Sequence, residues 1–405
     1  MKALLPVVAI ACLLVVAPQR AFSAFQDLGT LPGGDYFKSQ ALGVSGDGAV
    51  VVGSGSNVTI IPECCVQVAE QAIRWQWGVL TGMKSLVANH QRSIALAASY
   101  DGSVITGVLY RTSPWQGGFV WEAGAVTSLG DLPGGSSWSA GRSVSDDGNT
   151  IAGFSIDAIN ERAIRWDAGA MTNLGTGTGW SDATGVSGDG ATVVGFQQNE
   201  GAKRWDGTVI SGLTAPPGDF ETRAFGISSD GTAIVGRSLQ SVGEVAVRWK
   251  DGVPALLGTL PGDLTSVALD ASADGSVVVG RSADAQGNRR AFIWEAGSGM
   301  RNLQDVLVAQ GNDLTGWTLH EASGISDDGL VVVGTGRNPG GLQRGWVARF
   351  VVASVPTLAP PGYGLLCALL LGLGLRAGRI RARANPEKGA RPEKAEKGEK
   401  RPPRG

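Results

Sequence analysis

The chain alternates between short apolar, often β-branched runs and clusters of Gly, Asp and Ser, and this pattern recurs along most of its length. Residues 324–334 read small–apolar–Ser–x–Asp–Gly, then Leu-Val-Val-Val and a glycine. Because Asp-Gly favours a hairpin turn and β-branched runs favour strands, each copy predicts two strands joined by a tight turn. The turn aspartates are predicted to be structural and lie at Asp47, Asp101, Asp147, Asp189, Asp230, Asp274 and Asp328.

Each copy is followed by two more predicted strands. The third ends in Trp, as in residues 163–166 (Ala-Ile-Arg-Trp), and the fourth leads into a Pro/Gly-rich connector. Successive turn aspartates are 54, 46, 42, 41, 44 and 54 residues apart. Four short strands in a unit of roughly 40–50 residues are typical of a β-propeller blade. The sequence therefore predicts an all-β fold in which residues 25–352 form a seven-bladed β-propeller.

The predicted fourth strands indicate how the array closes. Six follow a Trp strand, whereas the seventh repeat continues from Trp346 into the C-terminal segment without one. Residues 25–34 match residues 129–135, which end a fourth strand and begin its connector. The N-terminal strand is therefore predicted to complete the last blade, which would remove two exposed sheet edges. An open β-solenoid is the alternative.

Both ends of the chain carry apolar segments. Residues 1–24 combine a Lys, an apolar run and a small-residue cleavage site, the pattern of a secretory signal peptide. Residues 353–383 contain an uncharged Leu/Gly-rich run followed by an Arg cluster, which predicts a sorting signal or membrane helix with a cytoplasmic end. Residues 384–405 are rich in Pro, Glu and Lys and are predicted to be disordered.

The net charge of the predicted body argues against nucleic acid as a partner. The formal net charge is −2, but the residues from Arg376 onward carry seven Arg and four Lys against four Glu. Lys2 and Arg20 add two positive charges in the signal region, which leaves −11 for the body between. Nucleic acid is therefore not expected as a partner, because phosphate binding requires a basic surface.

The connectors between repeats carry a series of aromatic residues. Connectors and the loops between second and third strands are predicted to share one face, and the Asp-Gly turns the other. Variable loops on a rigid scaffold are the usual place for binding, and exposed aromatics beside polar groups suit stacking on sugar rings. Packing between blades is the alternative role. The predicted ligand-binding residues are Tyr36, Phe37, Trp115, Trp138, Trp180, Phe220 and Trp317.

No motif predicts catalysis, a cofactor or a metal. The chain has no Gly-x-Ser-x-Gly elbow, and the Ser before each Asp-Gly, which recurs in every repeat, is predicted to cap its turn. A calcium loop needs several converging oxygen ligands, whereas most copies have one Asp beside Gly. His90 and His320 lie in connectors and are predicted to be structural.

Two adjacent cysteines lie in the predicted body. Cys64 and Cys65 fall in the longest predicted loop between a second and a third strand, residues 54–70. In an exported protein such a pair can form a vicinal disulfide, remain as free thiols or bond to another molecule.

Two resemblances add to these predictions. The Leu-Gly-x-Leu-Pro-Gly-Gly, Val-Ser-x-Asp-Gly…Val-Val-Gly and Ala-Phe-x-Trp elements of residues 25–350 resemble the HAF-repeat family of extracellular bacterial proteins. Residues 290–294 are the nearest match to the naming motif, although no repeat keeps a His before Ala-Phe. The C-terminal layout, with Val-Pro-Thr-Leu at residues 355–358, resembles PEP-CTERM/IPTL-type sorting signals. This resemblance implies processing by an exosortase-like enzyme; an unprocessed C-terminal anchor is the alternative.

Together these patterns predict an exported protein at the cell surface or in the extracellular matrix. The expected activity is non-enzymatic binding of a polysaccharide or another surface macromolecule through the aromatic loops. An extracellular propeller enzyme acting on polysaccharide is the first alternative, and a purely structural matrix component is the second.

Overall fold

The computed structural model describes residues 25–31, 38–61, 65–83, 90–111, 116–135, 138–176, 179–207 and 209–350. The predicted signal peptide, the C-terminal sorting segment and the predicted disordered tail lie outside these ranges. Across the described ranges the fold is all-β, with antiparallel sheets and one short helix. No helix among these residues is long and apolar enough to span a membrane.

The strands follow the sequence repeats. The chain begins with β1 (Phe25–Asp27). Repeat 1 comprises β2 (Ser39–Val44), β3 (Val50–Ile61), β4 (Cys65–Gln76) and β5 (Val79–Gly82). Repeat 2 comprises β6 (His90–Ala98), β7 (Val104–Arg111), β8 (Gln116–Glu122) and β9 (Ala125–Ser128). Repeat 3 comprises β10 (Ser139–Val144), β11 (Thr150–Ile156), β12 (Glu161–Asp167) and β13 (Ala170–Asn173).

The remaining repeats have the same order. Repeat 4 comprises β14 (Ser181–Val186), β15 (Thr192–Gln197), β16 (Gly201–Asp206) and β17 (Val209–Gly212). Repeat 5 comprises β18 (Glu221–Ile227), β19 (Ala233–Gln240), β20 (Gly243–Lys250) and β21 (Val253–Gly258). Repeat 6 comprises β22 (Thr265–Ala271), β23 (Val277–Ala283), β24 (Arg289–Glu295) and β25 (Gly299–Asn302), followed by α1 (Leu303–Ala309). Repeat 7 comprises β26 (Thr318–Ile325), β27 (Val331–Arg337) and β28 (Gln343–Arg349).

Within each repeat the strands pair in chain order and antiparallel. Repeats 1 and 2 form one eight-stranded sheet, because a single parallel bridge between Glu70 and Arg92 joins β4 to β6. Repeats 3 to 6 each form a four-stranded sheet. In the seventh repeat β1 takes the fourth position and pairs with β28, with Phe25 opposite Ala348 and Asp27 opposite Trp346.

The Ser-x-Asp-Gly motif builds the turn between first and second strands. In repeat 4 the Ser187 hydroxyl donates to Asp189 Oδ1 at 2.6 Å and accepts from the Thr192 N–H at 3.0 Å. Gly190 has a φ of +70°, a conformation that glycine adopts without strain. The same serine–aspartate and amide–serine bonds recur in every repeat. The motif is therefore a hydrogen-bonded turn built around a buried serine.

The glycine that ends each β-branched run is required for a different reason, which is the lack of space for a side chain. A Cβ on Gly195 would lie 2.0 Å from the carbonyl oxygen of Asp182 on the neighbouring first strand. The equivalent distance is 1.9–2.1 Å for the matching glycines of the other repeats, which are Gly53, Gly107, Gly153, Gly236, Gly280 and Gly334. The second strand approaches the first so closely that a side chain has no room.

Each first strand contains a β-bulge at its centre. In β10 the register skips Arg142 between Gly141 and Ser143, and in β18 it skips Phe225 between Ala224 and Gly226. The same skip occurs in every other first strand. A bulge leaves one residue unpaired and redirects its side chain.

Backbone hydrogen bonds link neighbouring repeats at the residue x of each Ser-x-Asp-Gly turn. We call these residues the belt: Gly46, Tyr100, Asp146, Gly188, Ser229, Ala273 and Asp327. The N–H of a belt residue, or of the residue after it, donates to the belt carbonyl of another repeat at 2.9–3.0 Å. One of these bonds runs from the Asp327 N–H to the Gly46 carbonyl, and thus joins repeat 7 to repeat 1.

The hydrophobic core lies between neighbouring repeats. One cluster packs Trp75 and Val51 of repeat 1 against Val333 and Val347 of repeat 7. Two of the third-strand tryptophans also bind the preceding connector: Trp205 Nε1 donates to the Leu174 carbonyl at 3.0 Å and Trp249 Nε1 to the Thr214 carbonyl at 2.6 Å. Burial of these rings between sheets accounts for the recurrent third-strand Trp.

Two local features differ from the sequence predictions. The predicted loop at residues 54–70 is wrong for the described residues, because β3 and β4 continue as a long hairpin with Ile61 opposite Cys65. Its β-branched and alternating residues favour strand pairing. Cys64 lies outside the described residues. The short helix α1 was not predicted; Leu303 and Leu307 are both buried and anchor it on the core of repeats 6 and 7.

Candidate functional site

Strand direction separates two faces. Every first strand runs toward its Ser-x-Asp-Gly turn, and third strands run the same way toward the turn before the fourth strand. We call the side of these turns the turn face; it includes Trp77, in the turn between β4 and β5. The described parts of the connectors between repeats and of the loops between second and third strands lie on the opposite side, the loop face, which includes Trp138, Trp180 and Phe220.

The bulged residues line a cavity of about 200 Å³ between the first strands. They comprise Leu42, Leu96, Arg142, Thr184, Phe225, Leu269 and Ser323. The sequence reasoning missed these residues because strict strand alternation assigns no special role to this position. The only signal in the sequence is that the position varies between apolar, cationic and hydroxyl side chains within an otherwise uniform motif.

Two belt aspartates meet at the turn-face end of the cavity. The Ser229 hydroxyl donates to Asp146 Oδ2 at 2.7 Å, and Asp327 also lines the cavity. A Cβ on Gly188 would lie 2.2 Å from Asp146 Oδ2, so this glycine makes room for the carboxylate. Burial, and next the charge of Asp146, raise the pKa of Asp327 to about 6. Two carboxylates of this kind suit proton transfer or cation binding.

Asp270 is a third carboxyl in the cavity wall. Its Oδ2 accepts from the Ile325 N–H at 2.9 Å and its Oδ1 accepts from the Ala271 N–H at 2.8 Å. Burial raises the pKa of Asp270 to about 7, against the effect of these two donors. Asp270 therefore links the first strands of repeats 6 and 7 from inside the cavity.

On the loop face, repeat 3 presents an aromatic and cationic stack. Trp138 is 42% exposed and its ring contacts Phe154 edge-on, with centroids 6.5 Å apart. The Arg142 guanidinium lies 5.1 Å from the centre of the Phe154 ring. A cation over a ring face is held by the ring quadrupole. This stack leaves one side of Trp138 open to solvent.

Repeats 4 and 5 form a second stack of the same kind. The Trp180 and Phe196 rings meet edge-on at 5.1 Å, and the Arg223 guanidinium of repeat 5 lies 5.1 Å and 4.7 Å from their centres. Arg223 is held by Glu221 at 2.6 Å. Phe220, which immediately precedes Glu221 in the sequence, is 73% exposed. Three of the predicted aromatics therefore lie along the loop face of neighbouring repeats.

The other predicted ligand-binding residues do not add to this surface. Trp317 is half-buried, and its ring packs edge-on against Phe25 at 5.1 Å beside the core of repeats 6 and 7. Tyr36, Phe37 and Trp115 lie outside the described residues.

Of the two histidines, the structure describes the surroundings of His320 only. His320 occupies a position of the first strand that holds Ser or Thr in the other six repeats. It is half-buried, and burial, followed by the charges of Arg337 and Arg289, lowers its pKa. His90 begins β6, and its side chain is outside the described set. Among the described residues, no group of three or more His, Cys, Asp or Glu side chains could hold a metal ion.

Charged pairs join neighbouring repeats at three of the junctions between described strands. They comprise Glu70 with Arg92, Arg142 with Asp182, and Arg281 with Glu321. Each pair links two repeats across a junction. The loop face thus combines aromatic rings with charges of both signs, which suits a polar polymer more than an apolar ligand.

Comparison with known proteins supports the fold. No protein-family model and no curated protein matches the chain. Among solved structures it is similar to the β-propeller domain of the Trilobed protease from Pyrococcus furiosus, at 9% identity and a TM-score of 0.50, over 80% of this chain and 100% of that one. The described residues form a β-propeller fold.

Two further structures are similar at lower scores. TolB from Acinetobacter baumannii has 15% identity and a TM-score of 0.43, over 74% of this chain and 80% of that one. A putative TolB from Agrobacterium tumefaciens has 16% identity and a TM-score of 0.40, over 63% of this chain and 89% of that one. At such identities none of these propellers indicates what this chain binds.

Proposed function

We propose that the protein is an exported, non-enzymatic propeller that binds a polysaccharide at the cell surface or in the extracellular matrix through its loop face. The observation that carries this proposal is the pair of aromatic–arginine stacks on neighbouring repeats, flanked by the exposed rings of Trp138 and Phe220. Rigid exposed rings beside charged side chains suit the alternating apolar and hydroxyl surfaces of sugars.

The proposal includes seven blades in a closed ring. Three contacts between repeats 7 and 1 support closure: the β1–β28 pairing, the belt bond from Asp327 to Gly46, and the bond from the Gly345 N–H to Ser39 Oγ at 3.1 Å. A ring holds the loop-face residues in fixed relative positions, which reduces the entropy lost on binding.

Export and surface delivery rest on the sequence of the two ends. The signal-peptide pattern of residues 1–24 and the sorting-signal pattern of residues 353–383 support an extracellular location, with processing by an exosortase-like enzyme or anchoring in the membrane. Cell fractionation of the full chain and of a chain ending at residue 352 tests this part. The truncated chain is expected in the medium rather than at the surface.

Binding is tested on a glycan array followed by titration calorimetry of each positive glycan. Trp138→Ala and Phe220→Ala, together, are expected to weaken binding at least about tenfold, since a lost stacking ring removes one or more kcal/mol. Trp77→Ala is the matched control, because Trp77 is 76% exposed on the turn face. Equal loss in the control, or no glycan bound by the wild type, would contradict the proposal.

A second candidate is a polysaccharide-cleaving enzyme. Asp146 and Asp327 favour it, because two close carboxyls with one raised pKa resemble a general acid and its partner. Release of reducing ends from a bound glycan, abolished in Asp146→Asn, would establish the enzyme. Binding without release supports the non-enzymatic function.

A further inference from the structure

The junction of repeats 3 and 4 on the loop face holds a cluster of mixed chemistry. Arg142 Nη2 donates to Asp182 Oδ2 at 2.8 Å, and the same guanidinium lies over the Phe154 ring. Phe154 contacts Trp138, whose exposed ring forms the outer wall. One guanidinium, one carboxylate and two rings are therefore joined in an unbroken series of contacts.

Asp182 has an unused oxygen. The residue is only 4% exposed, and its Oδ1 is buried without any hydrogen-bond partner among the described residues. Buried acceptor atoms nearly always receive a hydrogen bond, because burying a carboxylate oxygen without one lowers the stability of the fold. Arg142 occupies only the other oxygen. A donor from outside the chain would complete the group.

A second carboxyl, Glu161, lies within electrostatic range of the same charges. It is half-buried and accepts no hydrogen bond from any described residue. Burial, and next the charge of Asp182, raise the pKa of Glu161 to about 7, while Arg142 opposes the rise. The register places it near the aromatic wall: Ile156 is opposite Glu161, and the Ile156 N–H donates to the Trp138 carbonyl at 2.9 Å.

The charge of the cluster indicates the class of ligand. One guanidinium faces two carboxyl groups, so a cation that brings its own donors would balance both. A primary ammonium is small and has three donors, enough for Asp182 Oδ1 and Glu161 at once. Calcium prefers six to eight oxygen ligands, more than two carboxyls supply. A ring attached to the ammonium would lie against Trp138, which suits a sugar face.

We propose that Asp182, Glu161 and Trp138 form a subsite for the protonated amine of an amino-sugar residue, such as glucosamine, within the bound polysaccharide. This inference rests on the proposed polysaccharide-binding function and specifies one position of that surface. Asp182 accepts from the ammonium through Oδ1, Glu161 supplies the second carboxylate, and Arg142 holds Asp182 in place.

The test compares glucosamine hexamers with N-acetylglucosamine hexamers by titration calorimetry at pH 7. The full chain is expected to bind the glucosamine hexamer at least about tenfold more tightly, because acetylation removes both the charge and two donors. Glu161→Gln should remove most of this preference by weakening binding of the glucosamine hexamer. Asp182→Asn should act in the same direction, and thermal unfolding identifies any variant that fails to fold.

Glu122→Gln is the matched control, because Glu122 is an exposed carboxyl at the turn-face end of β8. Equal affinity for the two hexamers would overturn the subsite while leaving polysaccharide binding in place. A preference that survives in folded Glu161→Gln, or that requires added calcium, would also overturn it. Failure of the wild type to bind any glycan on the array, including both hexamers, would overturn the subsite together with the proposed function.

Discussion

The turn face and the loop face are built from the same seven repeats, yet they follow opposite rules. On the turn face each repeat has the same serine–aspartate turn, with Ser145, Ser187 and Ser326 among those fully or almost fully buried. On the loop-face side, the residue two places before the bulged residue is Ala140, then Asp182, then Arg223 in successive repeats. Backbone geometry requires the turn residues, whereas the residue at this position differs in character from repeat to repeat.

This contrast between the two faces indicates which residues of a repeat protein are candidates for binding. A residue that recurs in every repeat performs a task that every repeat shares, which is to form a turn, a bulge or an inter-repeat bond. A binding surface needs different residues at equivalent positions, since one ligand contacts several repeats at once. The four predictions below test this separation, beginning with the largest expected loss of stability.

The largest effect is expected at the glycines that end the β-branched runs. Gly195→Ala would place a Cβ 2.0 Å from the Asp182 carbonyl oxygen, so the first and second strands must separate. We expect a loss of about 3 kcal/mol in the free energy of unfolding. Urea unfolding followed by tryptophan fluorescence measures it. Gly212→Ala is the control, because the nearest atom to its Cβ would be 4.0 Å away.

The buried turn serine comes next. Ser145 Oγ donates to Asp147 Oδ1 at 2.7 Å and accepts from the Thr150 N–H at 3.0 Å. Ser145→Ala leaves that buried N–H without an acceptor, and we expect a loss of about 2 kcal/mol. Ser211→Ala, at an exposed hydroxyl of β17, should change the midpoint little. Similar losses in both variants would show that the turn is not specially stabilised.

Asp327→Asn is expected to increase the free energy of unfolding, by a smaller amount that depends on pH. Its pKa of about 6 in the folded chain is above the ordinary 3.8, so the folded state holds this proton more tightly than the unfolded state. Stability contributed by the protonated form is therefore lost as pH rises from about 4 to about 7. Because solvent partly screens the repulsion from Asp146, Asp327→Asn should stabilise the protein at pH 7.5 by only about 1 kcal/mol.

Thermal unfolding at pH 4.5 and pH 7.5 checks this prediction. The difference between Asp327→Asn and the wild type should be large at pH 7.5 and small at pH 4.5. Glu122→Gln removes the same charge from an exposed site and should show neither effect. An Asp327→Asn chain that is less stable at both pH values would mean that the carboxylate makes a net favourable contact.

The smallest effect on stability is expected on the loop face. Phe220→Ala removes a ring that is 73% exposed and should change the free energy of unfolding by less than about 0.5 kcal/mol. The same variant should weaken polysaccharide binding. A large loss of stability would show that Phe220 contributes to packing rather than to binding. That result would favour a purely structural matrix component.

Much of the scaffold was predictable because its signals are local. An Asp-Gly pair after a Ser specifies a hairpin, and a β-branched run beside it specifies a strand, whatever the rest of the chain does. The pairing of β1 with β28 was also predictable, because residues 25–34 match the end of a fourth strand. The β3–β4 hairpin and helix α1 were missed, since each departs from the repeat and has no second copy for comparison.

The candidate sites were predictable only in part. The aromatic series drew attention to the connectors, but sequence order does not reveal that Trp138 is open to solvent while Trp317 packs on Phe25. Nor does it reveal that Arg142 and Asp182 form an ion pair. These residues belong to two repeats, and Arg142 is turned inward by a bulge that has no residue signature of its own.

Seven copies of one four-stranded motif predict an all-β fold from sequence alone, because turn and strand preferences act over a few neighbouring residues. The convergence of side chains from different repeats, in contrast, follows from how the strands pack. That packing depends on the seven bulges, on the close approach of strands at glycine, and on the belt bonds that set one repeat against the next. The belt bonds join residues about 40 or more positions apart, and no local pattern encodes them.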